Sequence, residues 1–292
     1  MRRREFLSVA AGVSIATAAS AVEAPVPGYP IGRCVRVLGV TAPEDAKRVG
    51  FEYLELALQD LLPLDDSEFE RVAKRLKAIG IPLLSGYGFL PPKLHVAGPG
   101  VDWTEVDAAL RRGLGRAKQL GLQMVVLGNL NGESRRMVNG TSPENMQRMM
   151  LQFGTFAARL AEQHGITILI EPLPARTTNA INTVAEALRL VEAVESERFQ
   201  MLADFGYMTE GGEDLAILHR AARHIRQIEI QNPTGRVYPR SAEEADYASF
   251  FRALKTGGYR GGFSVHGAPT DFVTDAPRAI DVLRRLAHGI LG

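Results

Sequence analysis

The chain has 292 residues, 46% of them hydrophobic and 23% charged, an ordinary globular composition that allows one large α/β domain or two smaller ones around a sizeable core. Its 34 Lys and Arg nearly balance 33 Asp and Glu for a formal net charge of +1. No electrostatic excess therefore favours nucleic acid or an anionic membrane surface, and a small neutral substrate fits better.

At the N-terminus, Arg3-Arg4-Glu5-Phe6-Leu7 precedes a mildly apolar, Ala-rich segment from Ser8 to Ala21. This pattern predicts a twin-arginine export signal over residues 1–24, with small residues at Ala19-Ser20-Ala21 available for cleavage. The apolar stretch is too short to span a bilayer, so no stable membrane association is expected. Such a route carries folded proteins and implies a periplasmic or other extracytoplasmic location. Cys34, the one cysteine, follows at the expected start of a strand, where core packing is its default role. A single cysteine excludes an internal disulfide and a cysteine-based zinc cluster.

From there the chain alternates short apolar runs with longer amphipathic ones, as a parallel sheet with helical crossovers requires. Strands are predicted at Val35 to Val40, Tyr53 to Leu58, Pro82 to Tyr87, Met124 to Gly128, Thr167 to Pro172, Gln200 to Asp204, Gln227 to Gln231 and Gly262 to His266. The intervening helices are predicted at Pro43 to Val49, Asp66 to Ile79, Trp103 to Leu120, Pro143 to His164, Thr183 to Val194, Asp214 to Ala222, Ala242 to Thr256 and Asp275 to Leu291. Gly80, Gly121 and Gly165 stand where helices stop, and Asp65 or Asp66 and Ser142-Pro143 where they start. About eight such pairs predict an α/β, single-domain (β/α)8 TIM barrel over residues 30–292. The longer runs PPKLHVAGPG, NLNGESRRMVNG and NPTGRVYPRS follow the third, fourth and seventh strands, on the face of such a barrel where sites form.

Four consecutive strands finish in a polar residue: Glu171 in ILIEP, Asp204 in MLADFG, Glu229 in QIEIQN and His266 in FSVHG. Alternate residues of a strand share a side, so these groups are expected to meet at one rim. Three carboxylates there would repel one another unless a cation or several basic partners offset them. With an imidazole they form a hard-to-borderline set suited to Mn2+, Mg2+, Co2+ or Zn2+. Structural ion pairs are the competing explanation for each residue singly. His95, in the loop after the third strand, could reach such a site, although exposure is the default for a loop histidine. Trp103 could stack on a sugar or pack in the core.

The segments GFEYLEL at Gly50 to Leu56, GITILIEPL at Gly165 to Leu173, MLADFGY ending at Tyr207 and GGYRGGFSVHG at Gly257 to Gly267 resemble the xylose isomerase-like TIM-barrel family. Ketose 3-epimerases, hydroxypyruvate isomerases and endonuclease IV belong to it. The epimerase pattern is Glu, Asp, His and Glu on strands five to eight, so Glu171 and Asp204 carry over directly. Glu229 stands where those relatives have His, or Gln in the hydroxypyruvate isomerases, and His266 where they have Glu. The ligand types are kept but exchanged between neighbouring strands. The resemblance therefore implies one divalent ion, Mn2+ in first place, held by Glu171, Asp204, Glu229 and His266. It implies Glu171 as the base that removes a proton beside a carbonyl, through a metal-stabilised enediolate, with His266 or Glu229 returning it. Glu55 and Arg236 resemble substrate-binding positions. Tyr207 stands where the epimerases have a His, which changes how the substrate would be held.

An isomerase or epimerase of a sugar, ketose or keto-glycoside is thus expected, acting on a small molecule, and a homo-oligomer is compatible with that. A lyase or hydratase on a 3-keto sugar would use the same proton abstraction, and a non-catalytic sugar-binding protein is the reading of a different class. Six histidines, mostly on helices, and a balanced charge argue against a DNA-repair nuclease and against nucleic acid as a partner.

Overall fold

Strands β1 (Ile31–Val35), β2 (Tyr53–Ala57), β3 (Leu83–Tyr87), β4 (Met124–Leu127), β5 (Thr167–Ile170), β6 (Phe199–Asp204), β7 (Ile225–Ile230) and β8 (Gly262–Val265) pair in parallel in chain order. β8 returns to pair with β1, closing the sheet into a barrel. The computed structural model describes residues 28–37, 43–128, 133–137 and 140–292. The expected export signal, the far end of the first predicted strand and part of the loop after β4 lie outside the described residues.

Helices α1 (Pro43–Val49), α2 (Asp66–Ile79), α3 (Trp103–Leu120) and α4 (Pro143–His164) have the bounds that their punctuation predicts. Asp65 closes a capping box with Glu68, accepting its backbone N–H at 2.8 Å. Ser142 caps the N–H of Asn145 ahead of Pro143. Gly80, Gly121 and Gly165 take the left-handed conformation that ends α2, α3 and α4. In the second half, α5 (Val184–Val194) starts one residue later than expected because Thr183 is its cap. The segment expected as one helix from Asp214 is a 3-10 turn, Leu215–Ile217, running into the short α7 (Leu218–Ala221). α8 (Tyr247–Thr256) waits for Asp246 to cap it, five residues past the predicted start at Ala242. α9 (Phe272–Leu286) begins before Asp275 and passes into a π turn at Ala287–Leu291. Among the described residues, no helix is long and apolar enough to cross a membrane.

Two elements correct the sequence-based expectation. β1 occupies Ile31–Val35 rather than starting at Val35, because its partners select that register: Gly32 lies beside Tyr53 and Arg33 beside Val265. A Cβ on Gly32 would sit 2.1 Å from the Tyr53 ring, so the aromatic side chain occupies the room that only glycine leaves there. Cys34 consequently falls near the strand's end, only half-buried, instead of in the core. α6 (Phe205–Glu210), which the apolar pattern does not announce, starts because the Asp204 side chain accepts the Tyr207 N–H at 2.8 Å.

The main apolar core fills the space between barrel and helices. Inside the barrel the two halves differ. Met124, Val126, Leu169 and Leu202 form a separate apolar cluster on the β4 to β6 side, with Leu84 and Tyr87 against it. The opposite side, from β7 through β8 to β2, carries buried Gln227, Glu229, Ser264 and Glu55. A rim can collect charged groups only where the layer beneath can hydrogen-bond them, and that half of the barrel can.

α3 presses on the loop that follows β3 through a single glycine. A Cβ on Gly113 would lie 2.2 Å from the Phe89 carbonyl oxygen, whereas one on Gly115 would meet nothing within 4 Å. Gly113→Ala is expected to lower the unfolding free energy by about 1–3 kcal/mol through overpacking. Gly115→Ala should raise it by about 0.5–1 kcal/mol. Urea denaturation of the two variants checks this, and coincident midpoints would contradict the contact.

Candidate metal centre

β6, β7 and β8 bring three side chains to one point. Register sets Asp204 beside Glu229 and Glu229 beside Ser264, two residues before His266. The backbone N–H of His266 donates to the Ile230 carbonyl at 2.8 Å, extending the ladder past β8 and fixing the histidine at the rim. Asp204, Glu229 and His266 each offer one ligand atom, and these atoms all lie within 4.8 Å of one another. Asp204 accepts the Tyr207 N–H and both its oxygens accept from Gln231 Nε2, at 3.1 and 2.9 Å. Burial pushes its carboxyl up to about 6 despite these bonds. Burial also holds Glu229 well above the usual carboxylate range, with the charges of Glu55, Glu171 and Asp204 adding to the effect. His266 Nδ1 approaches Glu229 Oε2 to 3.1 Å without the alignment of a hydrogen bond. Burial, then the nearby Arg236 charge, lowers the imidazole to about 4, which leaves it neutral with a lone pair to offer.

Glu229 Oε2 and His266 Nε2 are buried and have no hydrogen-bond partner. Such orphans are costly, and a cation would satisfy both. Two carboxylates and a neutral imidazole are also the donor types that Mn2+, Zn2+ and related ions take. The residues present thus fit a divalent ion.

Glu171, expected as a fourth ligand, is close by but stands outside this triad. It follows β5, is 3% exposed, and its Oε2 lies 2.0 Å from where a Cβ on Gly128 would be, so the carboxylate leans over the end of β4. Its main chain is held at both ends: its N–H donates to the Leu127 carbonyl at 3.2 Å, and its own carbonyl accepts from Arg135 Nη2 at 2.5 Å. Arg135 also donates to Leu127 through Nη1 at 3.1 Å. This fully buried guanidinium, lowered to about 10 by desolvation against the opposing charge of Glu171, is a clamp on two strand ends. Nothing in NLNGESRRMVNG distinguishes it from a solvated loop arginine.

Glu55 finds its partners inside the barrel. It is fully buried on β2, its Oε2 accepting from Gln227 Nε2 at 2.7 Å and Ser264 Oγ at 3.0 Å, and burial raises it to about 7. Arg236, at a positive φ of 53° after β7, donates through Nη2 to the Tyr207 hydroxyl at 2.7 Å and through Nε to Gln231 Oε1 at 3.2 Å. Two of the four substrate-binding candidates, Arg236 and Tyr207, therefore meet, and Gln231 links them to Asp204. Gln231 was discernible from the period-2 pattern, being two residues past Glu229. His95 lies exposed in the loop after β3 and belongs to neither this network nor the triad. Trp103 packs edge-on against Phe156 between α3 and α4, so it is a packing residue.

This geometry, polar strand ends converging at the mouth of a closed parallel barrel, has counterparts among known proteins, and residues 43–286 match the xylose isomerase-like TIM barrel model. The chain belongs to that family. Over 225 residues, 75% of this chain and 74% of the relative, it is 28% identical to a probable ketose 3-epimerase of Synechocystis sp.. Over 244 residues, 78% of each chain, it is 26% identical to an L-ribulose 3-epimerase of Methylomonas sp.. The fold is shared with a crystal structure of D-psicose 3-epimerase determined in the presence of D-fructose, at a TM-score of 0.74 and 17% identity, covering 90% of this chain and all of that one, 100%. In this chain Asp204, Glu229 and His266 form a convergent triad at that mouth.

Carboxyls raised by burial make the metal-free fold sensitive to alkali. Glu55 at about 7 and Asp204 at about 6 bind protons more tightly folded than unfolded, so their contribution is complete below the usual carboxylate range and is lost as pH rises through 6 and 7. The Tm of protein stripped with EDTA should fall from pH 5 to pH 8, and Mn2+ should restore it most at the upper end, where it competes with the fewest protons. A cation-independent Tm across this range would refute the centre.

Proposed function

We propose that the protein is a divalent-metal-dependent sugar epimerase or isomerase, acting on a ketose or keto-glycoside by moving a proton on the carbon next to a carbonyl. The observation that carries this reading is the pair of orphaned, buried ligand atoms on Glu229 and His266, in a chain whose curated relatives are named as ketose 3-epimerases. Mn2+ is the ion we favour for an oxygen-rich set. Asp204, Glu229 and His266, with Glu171 close by, would hold a divalent cation, which when bound would supply positive charge beside the substrate oxygens.

The remaining work falls to the chain. Glu171, clamped through its main chain by Arg135, is the base that takes the proton. Glu229 or His266 is the group that returns a proton. Arg236 and Tyr207, joined at 2.7 Å, hold a substrate hydroxyl at the entrance. Glu55 lies behind them and keeps Gln227 and Ser264 in place. A lyase on a 3-keto sugar would share the first step and then expel a leaving group.

Incubation of the Mn2+-loaded protein with ketoses and keto-glycosides in D2O should introduce deuterium beside the carbonyl, with product stereochemistry separating epimerase, isomerase and lyase. Glu171→Gln should slow the exchange by about 10²–10⁴-fold. Binding of a sugar without any exchange would instead establish a non-catalytic binding protein.

We also propose export through the twin-arginine route to the periplasm, supported by Arg3-Arg4 ahead of the Ala-rich segment. Replacing both arginines by lysine should leave the protein in the cytoplasmic fraction, and unchanged fractionation would refute it.

A further inference from the structure

Beside the Asp204, Glu229 and His266 triad lies a second convergence. Cys34 near the end of β1, Glu55 on β2 and His266 after β8 each offer one ligand atom, again all within 4.8 Å of one another. Strand pairing builds this group: Cys34 is level with Glu55, and β1 pairs on its other side with β8. Glu55 is fully buried, and while Oε2 is taken by Gln227 and Ser264, Oε1 has no hydrogen-bond partner. His266 Nε2 is likewise buried without one. The Cys34 side chain meets the Tyr87 hydroxyl near the end of β1.

We propose that Cys34, Glu55 and His266 form a separate site for a thiophilic divalent cation of the zinc class, and that the shared His266 makes its occupation exclusive with that of the triad. A thiolate, a carboxylate and an imidazole are three ligand types that zinc takes in tetrahedral sites, with the fourth position open. Asp204 and Glu229 with one imidazole are harder and favour Mn2+ or Mg2+. Binding exchanges the S–H bond for an S–metal bond and releases the proton to solvent, with no change of oxidation state. Burial and the neighbouring Glu55 and Glu229 charges hold the thiol protonated in the metal-free chain, so a cation has to displace that proton. A zinc-class ion would then act as an inhibitor by drawing His266 away from the harder site. The site is defined by its thiol and does not rest on the sugar reading.

Because Cys34 is the one cysteine among 292 residues, any thiolate-to-metal charge-transfer absorption reports on it alone. The metal-free full chain titrated with Cd2+ or Co2+ should develop that band and saturate at one ion per chain. Cys34→Ser should abolish the band yet still bind one Mn2+ by elemental analysis, and Glu55→Gln should weaken Cd2+ binding at least about tenfold. On protein preloaded with Mn2+, the band should grow only as Mn2+ is released. No band at stoichiometric metal, or equal Cd2+ affinity in Glu55→Gln, would overturn the site, and joint retention of both ions would overturn its exclusivity. Absence of deuterium exchange in the Mn2+-loaded form, when the metal-free form does develop the band with Cd2+, would count against the sugar reading alone.

Discussion

Glu55, Glu171, Asp204 and Glu229 are each no more than 3% exposed at one end of a single barrel, and keeping them there is the demand around which the rest of the molecule is arranged. Burial removes hydration that a carboxylate recovers only from a cation, from hydrogen bonds or by taking up a proton. The protein uses hydrogen bonds where it has donors: Gln227 and Ser264 for Glu55, Gln231 and the Tyr207 N–H for Asp204. For Glu229, burial, the charges of Glu55, Glu171 and Asp204, and a hydrogen bond shared with Glu55 all favour the protonated form. The division of the interior into an apolar side and a polar side places this strain next to the groups able to relieve it.

Rigidity at the mouth comes from residues that do not themselves meet a metal. Arg135 gathers the carbonyls of Leu127 and Glu171, binding the ends of β4 and β5 together behind the carboxylate. Gly128 leaves the room into which that carboxylate leans. On the other side, the chain of contacts from Tyr207 through Arg236 and Gln231 to Asp204 ties the entrance of the site to a ligand. A functional group held by fixed strand ends and buried bonds keeps its position without cost at the moment of reaction.

Glu229 on β7 and His266 just past β8 are neighbours at the rim. Their donors meet there, with His266 Nδ1 lying 3.1 Å from Glu229 Oε2. A histidine on β8 also faces β1, which is why Cys34 and Glu55 gain a third partner there. His266 therefore takes part in both groups of candidate ligands at the mouth.

The barrel, the bounds of α1 to α4 and the polar strand ends were legible along the chain, because capping residues, glycine stops and period-2 alternation are local signals. The grouping of Asp204, Glu229 and His266 followed from the same signals once the strands were taken as parallel and consecutive. The lean of Glu171 toward Gly128, the inward place of Glu55, the burial of Arg135 and the early start of β1 were decided only by tertiary structure. Each depends on a partner distant in sequence, such as Gln227 for Glu55, 172 residues away, and such a partner leaves no periodicity around the residue it binds. Local order in this protein is written in the chain, whereas the direction of each buried charge is set by whichever donor the closed barrel brings to it.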